Sequence, residues 1–279
     1  MRRVMRGLAC AVAGLVAANA SAQGYLSDAP YVPTPQSTVE RMLELAMVGP
    51  DDLVVDLGSG DGRIVLTAAK KYGARGLGIE IDPDLINTSR YEARRAGVAD
   101  RVKFVSEDLF SADLRPATVL TLYLFRELNL RLRPRILEQL RPGARVVTHD
   151  WDMGEWEADV AMTVPAPNKP VGIARESKIF LWYVPAKVEG AWRLETPLTS
   201  GGPAMLVIAQ KFQQLDGALD YAGKRVSVAA GRMRGTTVSF RVPDGALAGD
   251  YDGTAEQGAM NGDIRHNGAV VGAWKAVRP

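Results

Sequence analysis

The sequence predicts an α/β protein, in which a doubly wound and largely parallel sheet is followed by a small antiparallel β domain. From about Tyr31 to Val184, short β-branched runs alternate with helical patterns, which is typical of βαβ units. A glycine-rich turn follows the first of these strands. Beyond Pro185 the helical patterns stop and short alternating segments replace them. We therefore divide the chain into residues 1–22, 23–184 and 185–279.

The helices of the first region are predicted from apolar residues at helical spacing and from the residues that break this spacing. In the first helix Val39, Met42, Leu43 and Ala46 share one face. The predicted helices are Gln36 to Val48, Ile64 to Tyr72, Asp84 to Ala96, and Arg131 to Leu140 with a break near Pro134.

The strands of this region are predicted from short apolar runs of the kind found in sheets covered on both faces. They are Leu53 to Val55, Gly76 to Glu80, Val102 to Val105, Val119 to Leu124, Arg145 to His149 and Ile179 to Val184. We expect the last strand to run antiparallel, after a proline-rich loop from Val164 to Pro170.

The second region is predicted to be a small β barrel or sandwich, because short alternating segments are separated by turn residues. The turns include Asn261-Gly262-Asp263 and Asn267-Gly268. Trp192 and Trp274 lie near the two ends of this region, and we expect them to pack within one core. The clearest strands are Met205 to Ile208, Arg225 to Ala229, Thr236 to Val242 and Val270 to Trp274.

The first 22 residues resemble a secretory signal peptide. A basic start precedes an apolar run from Gly7 to Ala18, and Ala20-Ser21-Ala22 offers small residues for cleavage. That run is shorter than the roughly 20 residues that a spanning helix needs. We expect an exported or periplasmic protein without a stable membrane span; the alternative is a membrane-anchored protein that faces the cytosol.

Charge and residue counts exclude several classes of function. The formal charge is +2, from 34 basic and 32 acidic residues, and three of the arginines lie in the first six residues. This balance argues against a nucleic-acid partner, because such proteins usually carry a marked basic excess. The single cysteine, Cys10, lies in the signal-like segment, and the chain has two histidines. We therefore expect neither disulfides nor a metal site.

Acidic residues follow three successive strands and surround a glycine-rich turn. Asp56 precedes Gly58-Ser59-Gly60-Asp61-Gly62, Glu80 ends the next strand, and Asp108 follows the third. Glycines let the backbone approach a ligand closely, but an acidic loop suits a cation better than a pyrophosphate. S-adenosylmethionine (SAM) fits this pattern: its cationic groups match Asp56 and the loop, its ribose hydroxyls match Glu80, and its adenine amine matches Asp108.

These residues resemble the first three motifs of class I SAM-dependent methyltransferases, namely Asp56 to Gly62, Gly78-Ile79-Glu80 and Ser106-Glu107-Asp108-Leu109. With Tyr31-Val32-Pro33-Thr34-Pro35 and the turn through Val65, the chain is similar to the protein-lysine methyltransferases of the ATP-synthase c-subunit type and their bacterial relatives. The resemblance implies a Rossmann-like fold, SAM as cofactor and a lysine amine as acceptor. The SAM-binding residues it implies, together with the pattern above, are Pro33, Thr34, Asp56, Gly58, Ser59, Gly60, Gly62, Glu80, Asp108 and Leu109.

The candidate acceptor site lies at the ends of the fourth and fifth strands, where ligands bind in such sheets. Tyr123 ends the fourth strand, and His149 with Asp150 ends the fifth. A lysine nucleophile must be neutral, and we expect His149 and Asp150 to accept its proton and Tyr123 to orient it. A small-molecule acceptor, and a non-catalytic SAM-binding module in an exported protein, are the alternatives.

Overall fold

The computed structural model describes residues 30–172, 175–200, 202–256 and 258–279. Residues Tyr31–Pro279 form one compact unit that contains both a sheet with helices and a barrel. The expected signal peptide, residues 1–22, lies outside the described residues. In the described parts of the chain no helix is long and apolar enough to cross a membrane.

Seven strands form one sheet in the order β3-β2-β1-β4-β5-β7-β6. The first five strands are mutually parallel, whereas β7 is antiparallel to both β5 and β6. The order reverses between β1 and β4, which creates the switch point at which such sheets bind ligands. The strands are β1 (Leu53–Leu57), β2 (Arg75–Glu80), β3 (Val102–Ser106), β4 (Val119–Leu122), β5 (Arg145–His149), β6 (Val160–Pro165) and β7 (Glu176–Tyr183).

Four helices cover the two faces of this sheet, which confirms the predicted doubly wound class. They are α1 (Gln36–Leu45), α2 (Arg63–Tyr72), α3 (Pro83–Arg95) and α4 (Arg126–Gln139). Val54 of β1 belongs to the core under α1, α2 and α3, and its neighbour Val55 belongs to the core under α4. Both faces of the strand are therefore buried, which explains its continuous apolar run.

Two elements of the first region differ from the prediction. Helix α4 begins at Arg126 and continues through Pro134. Proline removes one helical hydrogen bond, but Leu132 and Ile136 on either side are fully buried, and their packing stabilises the helix across that gap. Strand β6 (Val160–Pro165), which pairs with β7, was not predicted, and the loop expected from Val164 to Pro170 therefore begins two residues later.

The second region is a closed barrel in the order β10-β11-β12-β13-β14-β15-β8-β9. As the sequence suggests, Trp192 and Trp274 lie in one core. Phe240 stacks on Tyr251 with ring centroids 4.7 Å apart, and Trp274 packs edge-on at 5.5 Å from Phe240. Its strands are β8 (Gly190–Glu195), β9 (Ala204–Lys211), β10 (Gln214–Tyr221), β11 (Lys224–Arg234), β12 (Thr237–Val242), β13 (Gly249–Glu256), β14 (Ala259–His266) and β15 (Ala269–Val277).

One predicted turn of the barrel is wrong. Asn261-Gly262-Asp263 lies in the middle of β14, opposite both β13 and β15. The backbone of β13 requires glycine here: a Cβ at Gly262 would lie 1.9 Å from the Asp252 carbonyl oxygen and 2.5 Å from the Cα of Gly253, its partner on β13. The Asn267-Gly268 turn is as predicted, with both residues at positive φ.

The barrel is joined to the sheet by aromatic and charged contacts. Phe212 of the β9–β10 turn stacks on the buried Trp156 with ring centroids 6.3 Å apart. The Gln213 amide donates to the carbonyl of Glu157 at 2.6 Å, and Arg232 pairs with Asp159 at 2.9 Å. These contacts involve the back of the sheet domain, between β5 and β6, rather than the glycine-rich turn.

Candidate active site

The glycine-rich turn connects β1 to α2 at the switch point of the sheet. Gly58, Gly60 and Gly62 all have positive φ, at 72°, 54° and 78°. A Cβ at Gly60 would lie 2.5 Å from the Tyr31 ring, and one at Gly62 would lie 2.6 Å from the Phe104 ring. Both positions therefore require glycine on steric grounds as well as conformational ones.

The segment before α1 folds over this turn. Tyr31 lies against Gly60, and Arg63 donates a 2.8 Å hydrogen bond to the carbonyl of Thr34. Arg63 also pairs with Asp61 at 2.6 Å. Burial alone would raise the pKa of Asp61, but the hydrogen bonds and charge of Arg63 outweigh it and lower that pKa. Pro33 is half-buried and Thr34 is buried on the same segment. The loop and the segment are thus held together by one arginine.

Asp56 is the most deeply buried carboxyl group of the site, at 2% exposure. Thr121 donates to it at 2.7 Å, but burial, with the nearby charges of Glu80 and Asp61, raises its pKa to about 8. At neutral pH the ligand-free protein therefore carries Asp56 mostly in its neutral form. A cation placed beside it would favour the ionised form.

Glu80 ties the end of β2 to the glycine-rich turn. Its Oε2 accepts from Gly60 N–H at 2.8 Å, and its Oε1 accepts from Ile81 and Asp82 N–H at 2.8 and 3.1 Å. A carboxylate offers about four acceptor positions. Binding both ribose hydroxyls therefore requires Glu80 to release one of these amides.

Asp108 lies exposed at the end of β3, next to the half-buried Leu109. Its Oδ1 accepts from Phe110 N–H at 2.8 Å, which fixes the carboxylate in an Asx turn and directs its other oxygen outward. Asp108 and Leu109 thus stand beyond Glu80 on the same edge, where an adenine ring on that side would meet them.

Ser59 supplies a second sign of a ligand. Its side chain is 5% exposed, and among the described residues its Oγ has no hydrogen-bond partner. Such orphaned groups are rare in folded proteins unless water or a ligand satisfies them. Together with the neutral, buried Asp56, this fits a bound molecule that carries both hydrogen-bonding groups and positive charge, as SAM does.

The three predicted acceptor-site residues lie together at the ends of β4 and β5. The Tyr123 ring stacks on the His149 ring with centroids 3.9 Å apart, and the Tyr123 hydroxyl is 3.4 Å from Asp150 Oδ2. Burial and the charge of Asp150 raise the pKa of Tyr123 to about 12, so its hydroxyl stays protonated. Asp150 has a φ of 64°, a conformation that is uncommon outside glycine and often marks functional sites.

His149 is fully buried in a chain of hydroxyl groups. Its Nδ1 lies 3.2 Å from Thr34 Oγ1 and its Nε2 lies 2.7 Å from Ser177 Oγ, to which Thr38 also donates. Burial, with the nearby ammonium of Lys169, lowers the pKa of His149 to about 4. His149 is therefore neutral at physiological pH, and its contacts orient it between β5, β7 and the segment before α1.

Lys169 was missed by the sequence analysis. It lies in the β6–β7 connection, and its Nζ is 2.5 Å from Asp150 Oδ2 and 2.7 Å from the carbonyl of Glu176. The prolines on either side of Lys169 predict only a loop, and nothing in the sequence pattern indicates that this loop contacts the end of β5. The exposed rings of Phe125 and Trp151, with centroids 6.3 Å apart, were likewise not anticipated.

Comparison with known proteins agrees with this geometry. A model of the ANTKMT methyltransferase domain matches residues 56–160. A protein-lysine N-methyltransferase from Saccharolobus islandicus (strain REY15A) is 39% identical over 145 residues, which are 52% of this chain and 90% of that protein. The human lysine N-methyltransferase of the ATP synthase c-subunit is 33% identical over 130 residues, and the match spans 47% of this chain and 55% of that protein.

A solved structure resembles the same region. The crystal structure of an RNA methyltransferase from Salinibacter ruber, in complex with S-adenosyl-L-homocysteine, is 51% identical and superposes with a TM-score of 0.51. The match covers 56% of this chain and 96% of that one. The family model ends at residue 160, before the first barrel strand, Gly190–Glu195.

Proposed function

Since this chain belongs to the family of SAM-dependent protein-lysine N-methyltransferases, we propose that its methyl acceptor is a lysine amine of another protein. The observation that carries this proposal is the pair formed by Asp150 and Tyr123, a carboxylate and a hydroxyl at the strand ends beside the glycine-rich turn. A carboxylate with a neutral hydroxyl oxygen next to it offers acceptors to an ammonium ion that must be bound and then deprotonated.

The residues that hold SAM follow from the acidic edge of the sheet. Glu80 and Asp108 lie on the side of β2 and β3, which supports the assignment of ribose to Glu80 and of adenine to Asp108. Asp56 and the amides of the glycine-rich turn would then hold the amino acid portion. The bound SAM supplies an activated methyl group, which an in-line nucleophile accepts.

On the acceptor side, the protein binds the amine, removes its proton and excludes water. A free lysine has a pKa near 10.4, so the amine must lose a proton before it reacts. Asp150 accepts that proton or passes it to solvent, and Tyr123 orients the amine lone pair. His149, being neutral and buried, positions the Tyr123 ring rather than taking the proton.

RNA is the second candidate acceptor, because the solved structure that is 51% identical is described as an RNA methyltransferase. The charge of this chain argues against RNA, since basic and acidic residues are nearly balanced. At the mouth of the site, moreover, Arg126 is paired with Asp152 and Lys169 with Asp150. Proteins that bind RNA strands usually present such cations to phosphate.

The experiment that tests the proposal is a labelling assay. The purified protein is incubated with SAM carrying a tritiated methyl group and with fractionated cell extract, and the label is counted in protein, RNA and small molecules. A lysine acceptor predicts label in protein that survives RNase and is recovered as methyl-lysine after acid hydrolysis. Label in RNA alone, or in small molecules alone, would overturn the proposal.

We further propose that the protein is exported, on the basis of the signal-like residues 1–22. SAM is made in the cytosol, so this location requires either a supply of SAM outside or an uncleaved anchor that leaves the enzyme inside. Sequencing the amino terminus of the mature protein, combined with cell fractionation, distinguishes cleavage after Ala22 from retention.

A further inference from the structure

The Asp150 carboxylate already binds a lysine side chain of the same molecule. Lys169 Nζ lies 2.5 Å from Asp150 Oδ2, and the side chain of Lys169 is 9% exposed. The ammonium also donates to the carbonyl of Glu176 at 2.7 Å. Two oxygens thus hold a lysine head group in a largely dry position.

This position coincides with the proposed acceptor site. Asp150 Oδ2, the oxygen that binds Lys169, is the same atom that faces the Tyr123 hydroxyl. Its other oxygen, Oδ1, accepts from Lys178 N–H at 3.0 Å and is therefore committed to the backbone. Lys169 and the Tyr123 hydroxyl fill the two acceptor positions of Oδ2, so an incoming ammonium at this oxygen must compete with Lys169.

We propose that Lys169 is an internal competitor of the acceptor: its ammonium occupies the amine subsite formed by Asp150, Tyr123 and the Glu176 carbonyl, and an acceptor lysine displaces it. This inference rests on the proposed function, and it deepens it by defining the acceptor as an alkylammonium ion. This largely buried ion pair holds Lys169 in the subsite for about four fifths of the time, so the apparent affinity for an acceptor is reduced by about fivefold.

The test measures binding of n-butylammonium, a mimic of the lysine side chain, to the full chain saturated with S-adenosylhomocysteine. Lys169→Gln removes the ammonium and is expected to tighten binding by about fivefold, whereas Lys169→Arg keeps a cation and is expected to bind like the wild type. Lys71→Gln is the matched control, because Lys71 pairs with Glu40 at 2.8 Å on the surface of α2. If Lys169→Gln binds n-butylammonium no more tightly than Lys71→Gln, the inference is overturned.

A kinetic measurement separates this inference from the proposed function. With poly-L-lysine as acceptor, Lys169→Gln is expected to lower KM by about fivefold and to leave the Kd of SAM unchanged. If poly-L-lysine is not methylated but n-butylammonium binding still tightens in Lys169→Gln, the competition is supported and the acceptor assignment fails. If poly-L-lysine is methylated with an unchanged KM, the acceptor assignment is supported and the competition is refuted.

Discussion

Replacing Asp56 by asparagine is expected to remove a loss of stability that the wild-type protein without SAM shows as the pH rises from 5 to 8. In the folded protein the pKa of Asp56 is raised to about 8, chiefly by burial, whereas the unfolded chain has an ordinary value of 3.8. The folded state therefore binds one more proton than the unfolded state between these two values. Because of this linkage, the free energy of unfolding of the wild type falls as pH rises from about 4 to 8.

The magnitude follows from about 1.36 kcal/mol per pKa unit. Between pH 5 and pH 8 the wild type is expected to lose about 3 to 4 kcal/mol relative to Asp56→Asn. This is a measurable share of a typical stability of about 5–15 kcal/mol. Asparagine keeps an oxygen that can accept from Thr121, now 2.7 Å from Asp56, so the substitution changes charge more than shape.

The assay is urea unfolding of both proteins at pH 5, 6, 7 and 8. Asp113→Asn is the control, because Asp113 is exposed and its pKa is lowered to about 2 by Arg115, below the whole range. Calorimetry with SAM adds a second readout. Below pH 8, the affinity of the wild type for SAM should increase up to tenfold for each unit by which the pH rises, and Asp56→Asn should lack that dependence. Parallel stability profiles for wild type and Asp56→Asn would refute the reasoning.

Three further predictions concern the two ends of the site and the barrel. Glu80→Ala should weaken SAM binding by about 10- to 100-fold, since one charged hydrogen bond contributes on the order of 1.5–3 kcal/mol, and unchanged affinity in calorimetry would contradict its role. Tyr123→Phe should lower kcat by about tenfold with the Kd of SAM unchanged; if kcat also stays the same, the ring serves only packing. Phe212→Ala, which removes the stack on Trp156, should lower the free energy of unfolding by about 2 kcal/mol, below the roughly 3–5 kcal/mol of a fully buried phenylalanine because this ring is half-buried, while SAM binding persists.

The parts of the fold that sequence predicts well are those with two buried faces. In β1, successive residues such as Val54 and Val55 enter different cores, so the strand begins with a continuous apolar run that is easily recognised. In the barrel one face of each strand meets solvent, and several strands carry residues typical of turns. Gly262 is an example: its neighbours are polar, as in a turn, but the close approach of the β13 backbone, with the Asp252 carbonyl oxygen 1.9 Å from where a Cβ would lie, explains a glycine inside a strand.

The site shows the same division. Gly58 to Gly62, Glu80 and Asp108 are spaced by local rules for strands, turns and helices, so their meeting at one edge of the sheet follows from the fold class. Lys169 reaches Asp150 through a loop whose course is set by the β6–β7 pairing, and no local rule specifies that pairing. Predicting this contact requires the three-dimensional arrangement of the antiparallel strands.

Thr34 connects the two halves of the site. Its carbonyl accepts from Arg63, which also holds Asp61 of the glycine-rich turn, and its hydroxyl lies beside His149. His149 in turn supports the Tyr123 ring at the acceptor end. Because Thr34 contacts both Arg63 at the glycine-rich turn and His149, the position of the segment before α1 links the two halves of the site. The neutral state of His149 suits this role, since the hydroxyls of Thr34 and Ser177 lie within hydrogen-bond distance of its two ring nitrogens, and burial outweighs the Asp150 carboxylate 3.6 Å from Nε2.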